Sequence, residues 1–264
     1  MELILQMTLT ALGILVVMMT TLWWIGIKIG NAAVVDVGWG GGFAMLVLVY
    51  FFLGDGLFDR RLLMAGMGVF WGVRLSAHLL VDRILAKKPE DGRYAEIRRK
   101  WKTGINLKMF LFYQFQALLI VVLSLPFLFM ALNQDAGFTW MEWAGFAIWG
   151  IGVIGESVAD AQLRRFKKDP ANQGTVCQDG LWNYSRHPNY FFECVIWIGY
   201  CVAALPSPYG WASFNSALIM AYILTSVTGI PMTEEQAVRT KGDAYRAYQR
   251  TTSPFIPWFK RVDR

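Results

Sequence analysis

Charge is scarce in this chain: Asp, Glu, Lys and Arg make up 17% of its 264 residues, against about 25% in soluble domains. That scarcity excludes an ordinary water-facing surface and points to a lipid-facing one. The 55% hydrophobic content, 15% aromatic content and mean hydropathy of +0.38 agree. Cysteine is scarce too. Cys177, Cys194 and Cys201 are odd in number, and the last two fall at helical spacing in one apolar run, which leaves no disulfide framework or metal box. No internal repeat, low-complexity tract or long linker interrupts the chain. After six or seven spans of about 20 residues only about half the residues remain for loops, so one integral domain, 1–264, is expected.

What is present in excess is base. Twenty-five Lys and Arg against nineteen Asp and Glu give a formal +6 and a pI near 9.3. In a soluble protein that balance would suggest nucleic acid. Here the positive-inside rule for membrane loops explains it without a nucleic-acid partner.

Seven apolar runs, 3–27, 32–53, 62–81, 109–132, 140–160, 190–205 and 211–232, are close to the length of a bilayer-crossing helix. The first is too long for a signal-peptide core and lacks a small-x-small cleavage site, so it is expected to be a true span with a mature N-terminus. The basic residues cluster in three segments, nine in 83–108, five in 164–186 and seven in 239–264. These segments are expected in the cytoplasm. Seven spans then place the N-terminus outside and a tail, 233–264, inside. The fold expected is all-α, a polytopic membrane protein with seven transmembrane helices.

Ionisable residues inside spans are costly and mark candidate sites. Asp36, Arg74, His78, Glu156, Asp160 and Glu193 all fall in the cytoplasmic halves of their spans, and two pairs have i, i+4 spacing that shares one helix face. A polar cavity opening to the cytoplasm is the simplest arrangement; interhelical pairing of Arg74 with Asp36 or Glu156 is the alternative. Between the fifth and sixth spans, Arg164, Arg165, Lys167 and Lys168 precede Asn172, and Arg186 and His187 stand before a helix start. Such a loop can cradle phosphates, or it can simply meet lipid headgroups. Gly150, Gly152 and Gly155 match G-x-G-x-x-G but lie in mid-span with no preceding strand, so they read as a packing stripe. The glycines around Trp39 read as a close approach or an unwound segment. Trp101, Trp140, Trp143, Trp182, Tyr209 and Trp211 read as interfacial belt.

The segments Val35-Asp36-Val37-Gly38-Trp39-Gly40, Gly72-Val73-Arg74-Leu75-Ser76-Ala77-His78-Leu79, Asp91-Gly92-Arg93-Tyr94, Glu156-Ser157-Val158-Ala159-Asp160-Ala161-Gln162-Leu163 and Gly180-Leu181-Trp182-Asn183-Tyr184-Ser185-Arg186-His187-Pro188-Asn189-Tyr190 together resemble a bacterial membrane protein of the steroid 5α-reductase family. The resemblance runs from about residue 30 to the C-terminus. It implies NADPH-dependent reduction of the C4–C5 double bond of a 3-oxo-4-ene steroid, in a seven-helix domain of a bacterial inner membrane whose cofactor enters from the cytoplasm. It also implies cofactor contacts at Asp160, Arg164, Lys167, Asn189 and Glu193, with Glu235, Tyr245 and Tyr248 in a closing tail. Glu156, Lys168, Asn172, Arg186, His187 and Tyr190 complete the expected cofactor set. Steroid-active eukaryotic members hold the ketone with a Gln-Glu pair and a Tyr. Here the carboxylate position is matched by Asp36 and the Tyr position by Trp71, with Tyr94 as a substitute donor.

Reducing an enone places negative charge on the carbonyl oxygen, which a donor must meet. Asp36, kept protonated by apolar surroundings, is the expected polarising acid, assisted by Arg74 and His78; Trp39 and Trp71 would touch the substrate. NADPH supplies the hydride, so no metal is expected. The expected partners are a lipophilic enone entering from the membrane and the lipids themselves, with no obligate protein partner. The alternative is methyl transfer from S-adenosylmethionine to a lipid or thiol, because the Ser185–Tyr190 sequence also resembles isoprenylcysteine and phospholipid methyltransferases.

Overall fold

The computed structural model describes residues 1–86 and 90–261, and among them the chain is helical without a strand, apart from an isolated bridge between Ser185 and Ser253. It divides into two compact units, Met1–Glu142 with Ala203–Ser216 and Trp143–Val202 with Ala217–Arg264.

The first unit holds α1 (Glu2–Ile29), α2 (Val34–Leu53), α3 (Phe58–Leu79), α4 (Gly92–Lys100), α5 (Ile105–Leu123) and α6 (Leu125–Leu132). Predominantly apolar sequence makes the long helices, and local chemistry ends them. Gly30 takes the left-handed conformation at φ 69° and returns its N–H to α1 carbonyls, as helix-ending glycines do. Pro126 stands in the first turn of α6, so the run expected as one span over 109–132 is divided at Ser124. α2 and α3 touch backbone to backbone. A Cβ on Gly40 would stand 2.6 Å from the Gly72 carbonyl oxygen, and one on Gly72 would stand 2.5 Å from that of Gly40. The glycines around Trp39 are thus the close-approach surface of an unbroken helix.

A buried ion pair closes one end of this unit. Arg60, 1% exposed, meets Glu142 and also bonds the carbonyls of Asn133, Asp135 and Gly137 at 3.0, 2.9 and 2.6 Å. Glu142 in turn accepts the Thr139 N–H at 2.7 Å and its hydroxyl at 3.2 Å, a capping box at the start of the next helix.

That helix is α7 (Trp140–Lys168), and the second unit continues with α8 (Pro188–Ala204), α9 (Phe214–Tyr222), α10 (Ile230–Lys241) and α11 (Asp243–Thr251). α7 and α8 pack through two of the three glycines expected as a stripe: a Cβ on Gly152 would meet Ile196 N at 2.7 Å and one on Gly155 the Phe192 ring at 2.2 Å, whereas one on Gly150 would meet nothing within 4 Å. Gly199 repeats the approach from the α8 side, 2.5 Å from Trp149 N.

Among the described residues, six helices are long and apolar enough to cross a membrane: Glu2–Ile29, Val34–Leu53, Phe58–Leu85, Ile105–Leu123, Trp140–Lys168 and Gly210–Lys241. The expected span at 190–205 is α8, whose 17 residues fall below the length of these six. With its composition, this makes the chain an integral membrane protein.

Removing one partner of the Arg60–Glu142 pair strands a buried charge, which costs about 3–5 kcal/mol, whereas replacing both with apolar residues is often nearly neutral. Glu142→Ala should therefore lower the melting temperature in detergent sharply, and the double variant Arg60→Met/Glu142→Met should recover only part of the loss, because the carbonyls of Asn133, Asp135 and Gly137 then lose their donor. Equal melting of the single variant and the parent would show that the three carbonyls alone satisfy Arg60.

Candidate active site

Asp36 lies in the first turn of α2, where apolar surroundings were expected; the structure surrounds it with charge. Its Oδ2 meets Arg83, and Arg93 donates to the same oxygen at 3.2 Å, while Oδ1 accepts the Tyr94 hydroxyl at 2.7 Å. Arg83 comes from a π-wound turn, Leu80–Leu85, that continues α3; such turns add a residue to a helix and are frequent at functional sites. Arg93 and Tyr94 come from the first turn of α4, which Asp91 caps by accepting Arg93 N–H at 3.0 Å. Asp91 also binds the Arg93 side chain at 3.1 Å and lies 3.6 Å from Arg83. Beside them Glu90 pairs with Arg98 at 3.1 Å and accepts the Ala32 N–H at 2.7 Å. Three carboxylates and three guanidiniums thus pin α4 to the start of α2, and their charges cancel.

Burial pushes the Tyr94 phenol up to about 12, against the opposing pull of Arg93 and Arg83. It therefore holds its proton at any physiological pH. Burial alone would raise the Asp91 carboxyl, but the hydrogen bond and charge of Arg93, with Arg83 behind them, outweigh it and hold it below the ordinary range. With a depressed pKa, the Asp91 contribution is present above the ordinary carboxylate range and is lost as pH falls through it.

Asp36 and Tyr94 are thus brought together, with the carboxylate ion-paired rather than held as a neutral acid. The guanidiniums that reach Asp36 are those of Arg83 and Arg93, later in the chain than Arg74 and His78, which occupy half-buried positions near the end of α3. Trp71, expected to touch substrate, has no exposed surface and packs edge-on to Phe43 at 5.4 Å. Trp39 also packs on Phe43 at 5.4 Å, and is half-buried.

In the second unit, Asp160 on α7 and Asn189 on α8 are joined by a 3.3 Å hydrogen bond. One turn away from each, Glu156 and Glu193 are buried, and Glu193 accepts the Trp197 indole N–H at 3.0 Å. Arg164, Arg165, Lys167 and Lys168 are exposed on the last turns of α7. Asn172 donates to the Phe166 carbonyl at 3.0 Å, at the helix end.

Arg186 and His187, expected to face phosphate, hold the protein together instead. Arg186 binds Glu234 at 2.6 Å and the carbonyls of Gln249 and Thr252 at 2.8 and 2.7 Å, and His187 Nε2 lies 3.2 Å from the same Glu234 oxygen. Gln249 donates to the other Glu234 oxygen at 2.8 Å. Tyr190 stacks on His187 and bonds Thr233 at 3.3 Å. Tyr248 donates to the Trp182 and Ser185 carbonyls; burial pushes its phenol and that of Tyr245 well up. Trp182 is buried with its indole on the Ala159 carbonyl at 2.9 Å, so it is a tie rather than a belt residue. The expected Glu235 is exposed, and its neighbour Glu234 carries the contact.

An all-helical integral membrane protein with an ion-paired carboxylate–phenol couple is the class that fold and site define. The chain belongs to the family described as "Protein of unknown function (DUF1295)", whose model matches residues 22–252. An uncharacterized protein of Schizosaccharomyces pombe is 25% identical over 265 aligned residues, covering 89% of this chain and 75% of its own. The 3-oxo-5-alpha-steroid 4-dehydrogenase 1 of Rattus norvegicus is 25% identical over 112 residues, 42% of this chain and 40% of that enzyme. The probable O-methyltransferase ustE of Ustilaginoidea virens is 41% identical over 46 residues, 17% of this chain and 16% of its own. The chain therefore matches three quarters of the yeast protein but well under half of either enzyme. No solved structure matches it.

Because Asp36 anchors α4, Asp36→Asn should loosen that helix. Hydrogen bonds to charged groups contribute roughly 1.5–3 kcal/mol, so the bonds following Arg98 and Arg99 should become markedly more sensitive to trypsin while α7 to α11 keep their resistance. Unchanged cleavage in the α4 segment would show that Asp91 and Glu90 hold it alone.

Proposed function

We propose that this protein is an NADPH-dependent membrane reductase that saturates the carbon–carbon double bond of a 3-oxo-4-ene steroid or similar lipid enone. The observation that carries the reading is the Asp36–Tyr94 couple at 2.7 Å, a carboxylate at the position the resemblance gives to a ketone-holding acid and a phenol that stands in for the tyrosine whose own position is taken by Trp71. Partial similarity to a 3-oxo-5-alpha-steroid 4-dehydrogenase supports it. In this reading α8 is a seventh crossing, the N-terminus is outside, and the basic segments and tail face the cytoplasm.

Tyr94 supplies the donor. On substrate binding its hydroxyl turns from Asp36 to the carbonyl oxygen, where negative charge develops. Arg83 and Arg93 meanwhile keep the Asp36 carboxylate paired, so releasing the phenol strands no charge. Asp36 is then a positioning residue that holds Tyr94 in its ready rotamer. Saturation requires hydride at the β-carbon and a proton at the α-carbon; Tyr94 hydrogen-bonds the enolate oxygen in between, and water supplies the α-carbon proton.

The second unit carries groups that fit a dinucleotide. The Asp160–Asn189 pair offers a carboxylate and an amide to hydroxyl and carboxamide groups, and exposed Arg164, Arg165, Lys167 and Lys168 suit phosphates. Arg186 and His187 are committed to Glu234 and the tail and do not belong to that set. When bound, NADPH supplies the hydride.

Tyr94→Phe should lower turnover of a test enone by about 10²–10³, the range for loss of one oxyanion donor, with NADPH affinity nearly unchanged and a modest fall in melting temperature from the lost bond to Asp36. Loss of NADPH binding in this variant, or full turnover, would defeat the assignment. The short similarity to an O-methyltransferase supports a second reading, transfer of a methyl group from S-adenosylmethionine. Thermal stabilisation by that compound and not by NADPH would select it.

A further inference from the structure

The tail that follows α11 is tied down along its backbone yet leaves large aromatic side chains in the open. The Ser185 hydroxyl donates to the Phe255 carbonyl at 2.7 Å, Trp258 N–H to the Tyr184 carbonyl at 2.9 Å, and Arg261 N–H to the Thr251 carbonyl at 2.8 Å. Lys260 Nζ reaches Gln178 at 2.6 Å. Despite this, Ile256, Trp258 and Phe259 are 59, 67 and 75% exposed, and Tyr184, edge-on to Phe259, is 40% exposed. A tail held this firmly has no reason of its own to present three large apolar side chains to water.

Depth along the helices says what covers them. From exposed Trp140, α7 runs about 28 Å to Ala159, close to the roughly 30 Å hydrocarbon thickness of a bilayer. The Ala159 carbonyl receives the Trp182 indole, and Tyr184, two residues on, receives Trp258. This chain of bonds sets Trp258 and Phe259 near the hydrocarbon edge, where aromatic rings are favoured. Lys260 and Arg261, both exposed, follow directly, at the depth of lipid phosphates.

We propose that residues 256–261 form a membrane-surface anchor, with Ile256, Trp258 and Phe259 seated in the headgroup layer and Lys260 and Arg261 paired with anionic phospholipid. The proposal is independent of the reductase reading. It fixes the C-terminal strap, and through Ser185 and Tyr184 the approach to α8, to the leaflet at the C-terminal end of α7.

The test uses full-length protein in lipid nanodiscs, with a fluorophore on Phe259→Cys and, as a water-exposed reference, on Thr175→Cys; the native cysteines are buried and stay in place. The label at 259 should be quenched by headgroup-attached nitroxide lipid and shielded from acrylamide, relative to the label at 175. Shielding should be stronger in phosphatidylcholine–phosphatidylglycerol discs than in phosphatidylcholine alone. Lys260→Ala and Arg261→Ala should each reduce the ratio of seated to water-exposed label roughly fivefold, in the anionic discs only. Acrylamide access at 259 equal to that at 175 in both lipids would overturn the anchor. Shielding from both quenchers would overturn it in favour of packing on protein, and shielding indifferent to lipid charge would overturn the anionic-lipid assignment.

Discussion

A polar group drawn into the interior of this chain has little water to fall back on and must find its partner within the protein. That constraint organises the structure more than any apolar contact does. Arg60 is buried because one carboxylate and three carbonyls converge on it. Arg186 is buried because Glu234 and two tail carbonyls do the same. In each case a guanidinium, with five donors in a fixed fork, gathers carbonyls of loops and of a helix end that the helix ladder leaves unpaired. Apolar packing then needs only close helix approach, which the glycines of α2, α3, α7 and α8 permit.

The helical architecture was legible because its signals are local. Runs of apolar residues mark the spans, and Gly152 and Gly155 announce a packing stripe by their spacing. The division at Ser124 and Pro126 was missed because the run over 109–132 stays apolar throughout, so hydropathy does not register a change of helix there. The reach of α7 to Lys168 was missed for the opposite reason: its last turns are charged, and charge was read as loop.

The site was legible in part. Asp36 stood out as a carboxylate in a span, and Tyr94 as a donor, but pairing is a tertiary fact. Arg83 reaches Asp36 across 47 positions through a π-wound turn with no sequence signature. Glu234 had a usable signal: Ile230, Glu234, Val238 and Lys241 share the less exposed face of α10, whereas Glu235 falls on the outer one. Arg186 and His187 were read as phosphate ligands because cations before a helix start suit anions. What sequence could not show is that the anion they meet is the protein's own.

The distinction between a spent and an available group also decides how the Asp36 cluster can act. In the reductase reading proposed above, Tyr94, whose single hydroxyl hydrogen is donated to Asp36 in a hydrogen bond, would have to serve an arriving ketone with the same donor. Were Asp36 paired with Tyr94 alone, surrendering the hydroxyl would leave a half-buried carboxylate without compensation, and the exchange would be uphill. Arg83 and Arg93 on Oδ2 remove that obstacle, because the carboxylate remains paired when Oδ1 is given up. Asp91 keeps Arg93 in place from the other side, so the guanidinium is not drawn away toward the new oxyanion. In that reading, the charge network that pins α4 to α2 would also be the one that leaves the Tyr94 hydroxyl free to donate elsewhere.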